Sequence, residues 1–102
     1  MAVGAMRAVR AAGLRIPSDV SVVGFDNVDL ATYVDPPLTT IAQATSQMGH
    51  WAVTQLASEL ADRATARAAG GGEPSRPGDG PANHVILPVW LEVRGSTGPA
   101  PR

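Results

Sequence analysis

A chain of 102 residues with eight basic and nine acidic side chains has a net charge of −1, and so no overall basic field with which to hold nucleic acid by counterion release. The absence of Lys and Cys excludes Schiff-base and pyridoxal phosphate chemistry, the lysine of a P-loop, disulfides, thiolate nucleophiles and thiolate metal sites, and leaves a reducing cytoplasm acceptable. The length allows one small domain burying about two thirds of its unfolded surface, and a composition 44% hydrophobic but only 4% aromatic suits close helix-on-sheet packing with little burial energy per side chain.

In chain order, residues 1–12 place Ala2, Ala5, Met6 and Val9 on one helical stripe with Arg7 and Arg10 toward solvent. Gly13 and Pro17 supply the end of this helix, but nothing caps its start, so the sequence reads as beginning inside an element. Residues 20–25 are apolar on both faces apart from Ser21, which predicts a central, parallel strand. Residues 27–37 read as loop and turn, with an apolar cluster at Tyr33 and Val34, and 38–41 as a second short strand. Residues 43–46 lead into a helix running to about residue 66, whose Gly49, Ala52, Val53, Leu56 and Leu60 share one face suited to covering a sheet.

A Gly/Pro-rich tract at 68–82, AAGGGEPSRPGDGPA, has no periodicity and is expected to be a mobile surface insertion. Order is expected to return in two extended runs, 84–87 and 89–93, and residues 98–102 to form a frayed tail. The order helix, strand, strand, helix, strand, strand is α/β, too short to close a two-faced parallel sheet. No apolar stretch approaches the roughly 18 residues needed to span a bilayer, and no export signal opens the chain.

Asp26 is the residue with the most chemistry to offer. A carboxylate at the C-terminal end of a parallel strand can accept hydrogen bonds from the adjacent hydroxyls of a sugar or ribose. It can equally cap a neighbouring helix or begin an Asx-turn with Asn27. His50 and His84 have no partner at metal-ligand spacing. Gly70 to Gly72 follow no strand and precede no Lys, so they read as linker. Ser18-Asp19 and Ser58-Glu59 lack a His for a hydrolase triad. Trp51 and Trp90 fit packing between helix and sheet better than sugar stacking. An enzyme is not indicated, and neither a cofactor nor a metal is expected.

Three blocks, AVGAMRAVRAAGLRIPSDVSVVGFDN, PPLTTI and LPVWLEVRGST, resemble in order and spacing the C-terminal third of LacI/GalR-family transcriptional regulators. The resemblance covers residues 1–97 apart from the Gly/Pro-rich insertion. It implies a fragment of the two-lobed, parallel-sheet (type I) domain of periplasmic-binding-protein-like sensors, which in this family bind a sugar or related effector between their lobes. The resemblance makes Asp26, with Phe25 beside it, Gln43 and Thr45 effector contacts, with Thr45 standing where some sugar-responsive members carry an aromatic residue. Residues 38–43 correspond to a crossover between lobes.

The resemblance also makes Val3, Met6 and Val34 dimer contacts, for which simple core packing is the other reading. The implied partners are a small-molecule effector, a second copy of the intact protein, and operator DNA only through a helix-turn-helix that this sequence lacks; the implied location is cytoplasmic. The expected function is effector sensing and dimerisation within a transcriptional regulator. The alternatives are a fragment of a transporter's extracytoplasmic sugar-binding protein and a nonfunctional truncated remnant.

Overall fold

Residues 1–70 and 84–102 are described by a computed structural model, in which helices α1 (Ala2–Ala11), α2 (Leu30–Tyr33) and α3 (Thr45–Ala68) alternate with strands β1 (Val23–Phe25), β2 (Thr39–Gln43) and β3 (Val89–Glu92). The chain divides into two compact units, one formed by Met1–Gln43 with Pro88–Arg102 and the other by Ala44–Leu87.

In the first unit α1 ends as its sequence demands. Gly13 adopts φ +79°, its N–H donates to the carbonyl of Arg10 at 2.9 Å, and the N–H of Leu14 donates to that of Val9 at 3.2 Å. These are the two bonds of a Schellman cap, and the left-handed residue between them is a glycine because a side chain there would be strained. Met6 lies in the core with Ala31 and Leu38, and Ala2, Val3, Ile16, Val22 and Val34 pack against that cluster. Ala5, expected on the buried stripe, is exposed, and Val3 takes its place.

The turn after α1 is closed by Asp19, whose carboxylate accepts from the Arg15 backbone N–H at 2.8 Å and from the Arg15 guanidinium at 3.3 Å. The backbone bond first, and the side-chain bond second, hold the Asp19 carboxyl below its ordinary pKa. A carboxyl whose pKa is depressed on folding adds stability above its unfolded pKa, about 3.9, and loses it as the pH falls through the lower folded value. Asp19→Asn is therefore expected to lower the melting temperature slightly at pH 7, with the gap to wild type closing as acidification passes below about pH 4. A gap that widened on acidification would show that Asp19 does not act through its charge.

The sheet has the order β1-β2-β3, with β1 and β2 parallel and β2 and β3 antiparallel. Phe25 lies opposite Ile41, and Gln43 opposite Val89. β2, rather than β1, is the central strand. β1 forms an edge among the described residues, with Val23 51% and Phe25 60% exposed, because its apolar run finds a hydrogen-bonding neighbour on one side only. Residues 84–87 form no strand, and β3 begins at Val89, which pairs with Gln43, the last residue of β2.

α2, in the stretch expected to be loop, is a single helical turn. It exists because Ala31 is buried at 1% exposure and its carbonyl accepts from the Leu38 N–H at 2.8 Å. Buried Ser96 joins three segments, donating from Oγ to the Val22 carbonyl at 2.6 Å and accepting from the Thr39 N–H at 2.8 Å, while its own N–H donates to the Pro37 carbonyl at 2.9 Å. Gly98, at the start of the expected tail, donates its N–H to Ser21 Oγ at 3.0 Å.

In the second unit α3 runs two residues further than expected, to Ala68, and Gly70 follows it with φ +71°. Its apolar positions Val53, Leu56 and Leu60 are exposed, as are Gly49 and Ala52. From residue 71 the Gly/Pro-rich tract lies outside the described residues.

Candidate functional site

Because β1 and β2 run parallel, their C-terminal ends emerge on the same side of the sheet. β1 ends at Phe25 and delivers Asp26; β2 extends two residues beyond the Phe25–Ile41 pair and delivers Gln43. The two side chains meet, the Gln43 amide Nε2 donating to Asp26 Oδ1. Asp26 is exposed and Gln43 half-buried. An ionised carboxylate offers about four lone-pair positions and no donor, so after the Gln43 bond Asp26 keeps acceptor capacity for hydroxyl groups. Nothing caps α2 through a side chain, so Asp26 is not serving as its cap.

The backbone at this point is unusual. Asp26 has φ +80° and Asn27 φ +49°, two consecutive residues in the left-handed region that Asp and Asn enter more readily than other non-glycine residues. Asn27 is fixed twice: its N–H donates to Thr40 Oγ1 at 3.2 Å, and its Oδ1 accepts from Arg94 Nη2 at 2.8 Å. Arg94 Nη1 also donates to the Leu38 carbonyl at 2.9 Å, and the Arg94 N–H to Thr39 Oγ1 at 2.8 Å.

Of the four residues implied as effector contacts, the structure brings Asp26 and Gln43 together and places Phe25 beside them at 60% exposure. Thr45, exposed, opens α3 in the second unit. Of the three implied dimer contacts, Met6 is 3% exposed within this chain's own core, and Val3 and Val34 pack against it half-buried. His50 and His84 are exposed, and among the described residues no group of three or more His, Cys, Asp or Glu could hold a metal. Trp90 is 47% exposed and donates from Nε1 to Glu92 at 2.8 Å rather than packing between layers. Among the described residues no helix is long and apolar enough to cross a membrane.

Sequence reasoning misses Thr40 and Arg94 and reaches Asn27 only as an Asx-turn partner of Asp26. The available signal was an Arg directly after an apolar strand and before Gly-Ser-Thr, a place where an unpaired cation has little reason to stand.

The helices, the parallel strand pair and the carboxylate and amide at one sheet end make this an α/β fragment. The periplasmic binding protein-like domain family matches residues 1–97. The chain is 43% identical over 101 residues to the HTH-type transcriptional regulator MalR of Streptomyces coelicolor, an overlap covering 99% of this chain and 25% of that protein. It is similar to the dimeric Lac repressor lacking 11 C-terminal residues (35% identity, TM-score 0.65, 99% of this chain and 31% of that one). It is also similar to a LacI family regulator of Enterococcus faecalis solved with bound ribose (39% identity, TM-score 0.58, 97% and 31%). The chain belongs to the periplasmic binding protein-like domain family, and the relatives to which it is similar are LacI-type transcriptional regulators. It spans about a quarter of the length of the MalR protein it matches.

Proposed function

We propose that this chain is the part of a LacI-type regulator that senses a small polyhydroxylated effector, a sugar or a close relative, with Asp26 accepting the effector's hydroxyl hydrogen bonds. The observation that carries the reading is the exposed Asp26 carboxylate, held by Gln43 at the shared C-terminal end of two parallel strands. The Enterococcus regulator, solved with ribose, supports the ligand class. Phe25, beside Asp26, adds to the contact set, and no enzymatic step is assigned. Effector binding favours one arrangement of such a sensor over another only through differential affinity for the two, and that difference is what alters distant DNA-binding heads. The protein works in the cytoplasm as a homodimer, with Val3 and Val34 on the dimer side and Met6 supporting them from the core.

The test is Asp26→Asn in the natural full-length protein, read as sugar affinity by calorimetry over a panel of D-ribose, D-glucose and D-galactose. The substitution keeps the shape and removes the charge. Losing a charge-assisted hydrogen bond is expected to weaken binding about 10- to 100-fold while the melting temperature is retained. Unchanged affinity accompanied by a fall in stability would assign Asp26 a purely structural role.

A further inference from the structure

We infer that Arg94 is a positioning residue for the Asp26 carboxylate, acting through Asn27. Asp26 and Asn27 occupy consecutive left-handed conformations, which persist in non-glycine residues only where the surroundings over-determine them. Three hydrogen bonds from two parts of the chain, β2 and the residue just past β3, do so here. Thr40 on β2 receives the Asn27 N–H, Gln43 at the end of β2 donates to Asp26, and Arg94, just past β3, donates to the Asn27 side chain.

Arg94 is suited to this because its guanidinium is a rigid fork. One arm is anchored on the Leu38 carbonyl at 2.9 Å at the start of β2, and the other reaches Asn27 Oδ1 at 2.8 Å. The fork thus fixes Asn27 relative to β2, the strand that also carries Gln43. With both residues referred to one strand, the carboxylate stays where Gln43 can hold it and where its remaining lone pairs are open. Without the fork, Asn27 keeps only its N–H bond to Thr40, the left-handed pair relaxes, and Asp26 leaves Gln43. The significance of this for sensing rests on the reading of Asp26 as the effector's acceptor; the positioning itself does not.

The experiment is NMR on the ligand-free chain, reading the exchange rate and chemical shift of the Gln43 side-chain amide together with backbone amide exchange in the sheet. Asn27→Ala removes the acceptor while leaving Arg94 on Leu38, so the fold has its other bonds. It is expected to speed exchange of the Gln43 side-chain amide about tenfold with sheet protection unchanged. Arg94→Gln is expected to give the same effect, and the double variant no more than either single change. Asn27→Asp keeps an oxygen acceptor, now charge-assisted, and should restore the wild-type signal. An unchanged Gln43 signal in Asn27→Ala, or a failure of Asn27→Asp to restore it, would overturn the inference. So would a loss that appears only together with general loss of sheet protection. Sugar binding to the wild type, measured separately with the same panel, decides the effector reading alone: its absence would end that reading and leave the Gln43 result standing.

Discussion

Ser96→Ala is expected to lower the unfolding free energy by about 3 kcal/mol, read as a fall in the urea midpoint with an unchanged slope. The hydroxyl lost is fully buried, and it serves two backbone groups at once: the Val22 carbonyl, to which it donates at 2.6 Å, and the Thr39 N–H, from which it accepts at 2.8 Å. Alanine fits the space but serves neither. An unsatisfied buried polar group costs about 1–3 kcal/mol, and two are created together. A chain of this size is stable by roughly 5–15 kcal/mol in all, so the loss is a substantial part of the total. A cost under about 1 kcal/mol would mean that both groups find new partners, which their burial makes difficult.

Leu38→Ala is expected to cost about 3 kcal/mol, within the usual range of about 2–5 for truncating a buried leucine. Leu38 is 4% exposed and shares the core with Met6 and Ala31. Its side chain also fills the space above Gly24: a Cβ built at position 24 would lie 2.8 Å from Leu38 Cδ2 and 3.3 Å from the Ala2 Cβ. Gly24→Ala alone should therefore destabilise through crowding, by about 1–3 kcal/mol. The double variant is the sharper measurement. With Leu38 shortened, the new methyl enters vacated volume, and the combined cost should fall short of the sum by about 1 kcal/mol or more. Strict additivity in urea titrations of the four chains would show that the two sites do not share that space.

How much of this was legible in the sequence varied with the range over which each element is decided. The end of α1 was readable because Gly13 is a local necessity, and the parallel character of β1 because a continuous apolar run marks a strand of a parallel sheet. That same rule misplaced β1 at the centre, since an apolar strand records what it can pack against and not which neighbours it has. α2 escaped notice because one turn among Asp and Pro residues has no periodicity to show; the buried Ala31 and its bond to Leu38 create it. At the site, Asp26 stood out by its place at a strand end. Arg94 did not, because its bonds run to Asn27, 67 residues earlier, and to Leu38, 56 residues earlier.

That distance bears on how the protein comes into being. Ser96 bonds Val22 across 74 positions, and Gly98 bonds Ser21 across 77. A ribosome releases residues 1–43 well before the segment that seals them, and structure dominated by such remote pairings closes slowly once its parts are available. In the interval Val22 and Thr39 carry open hydrogen-bonding groups beside apolar side chains, the condition in which nascent chains are held by chaperones or associate with one another. The five residues from Arg94 to Gly98 thus govern the vulnerability of the newborn chain as well as the geometry of the finished one.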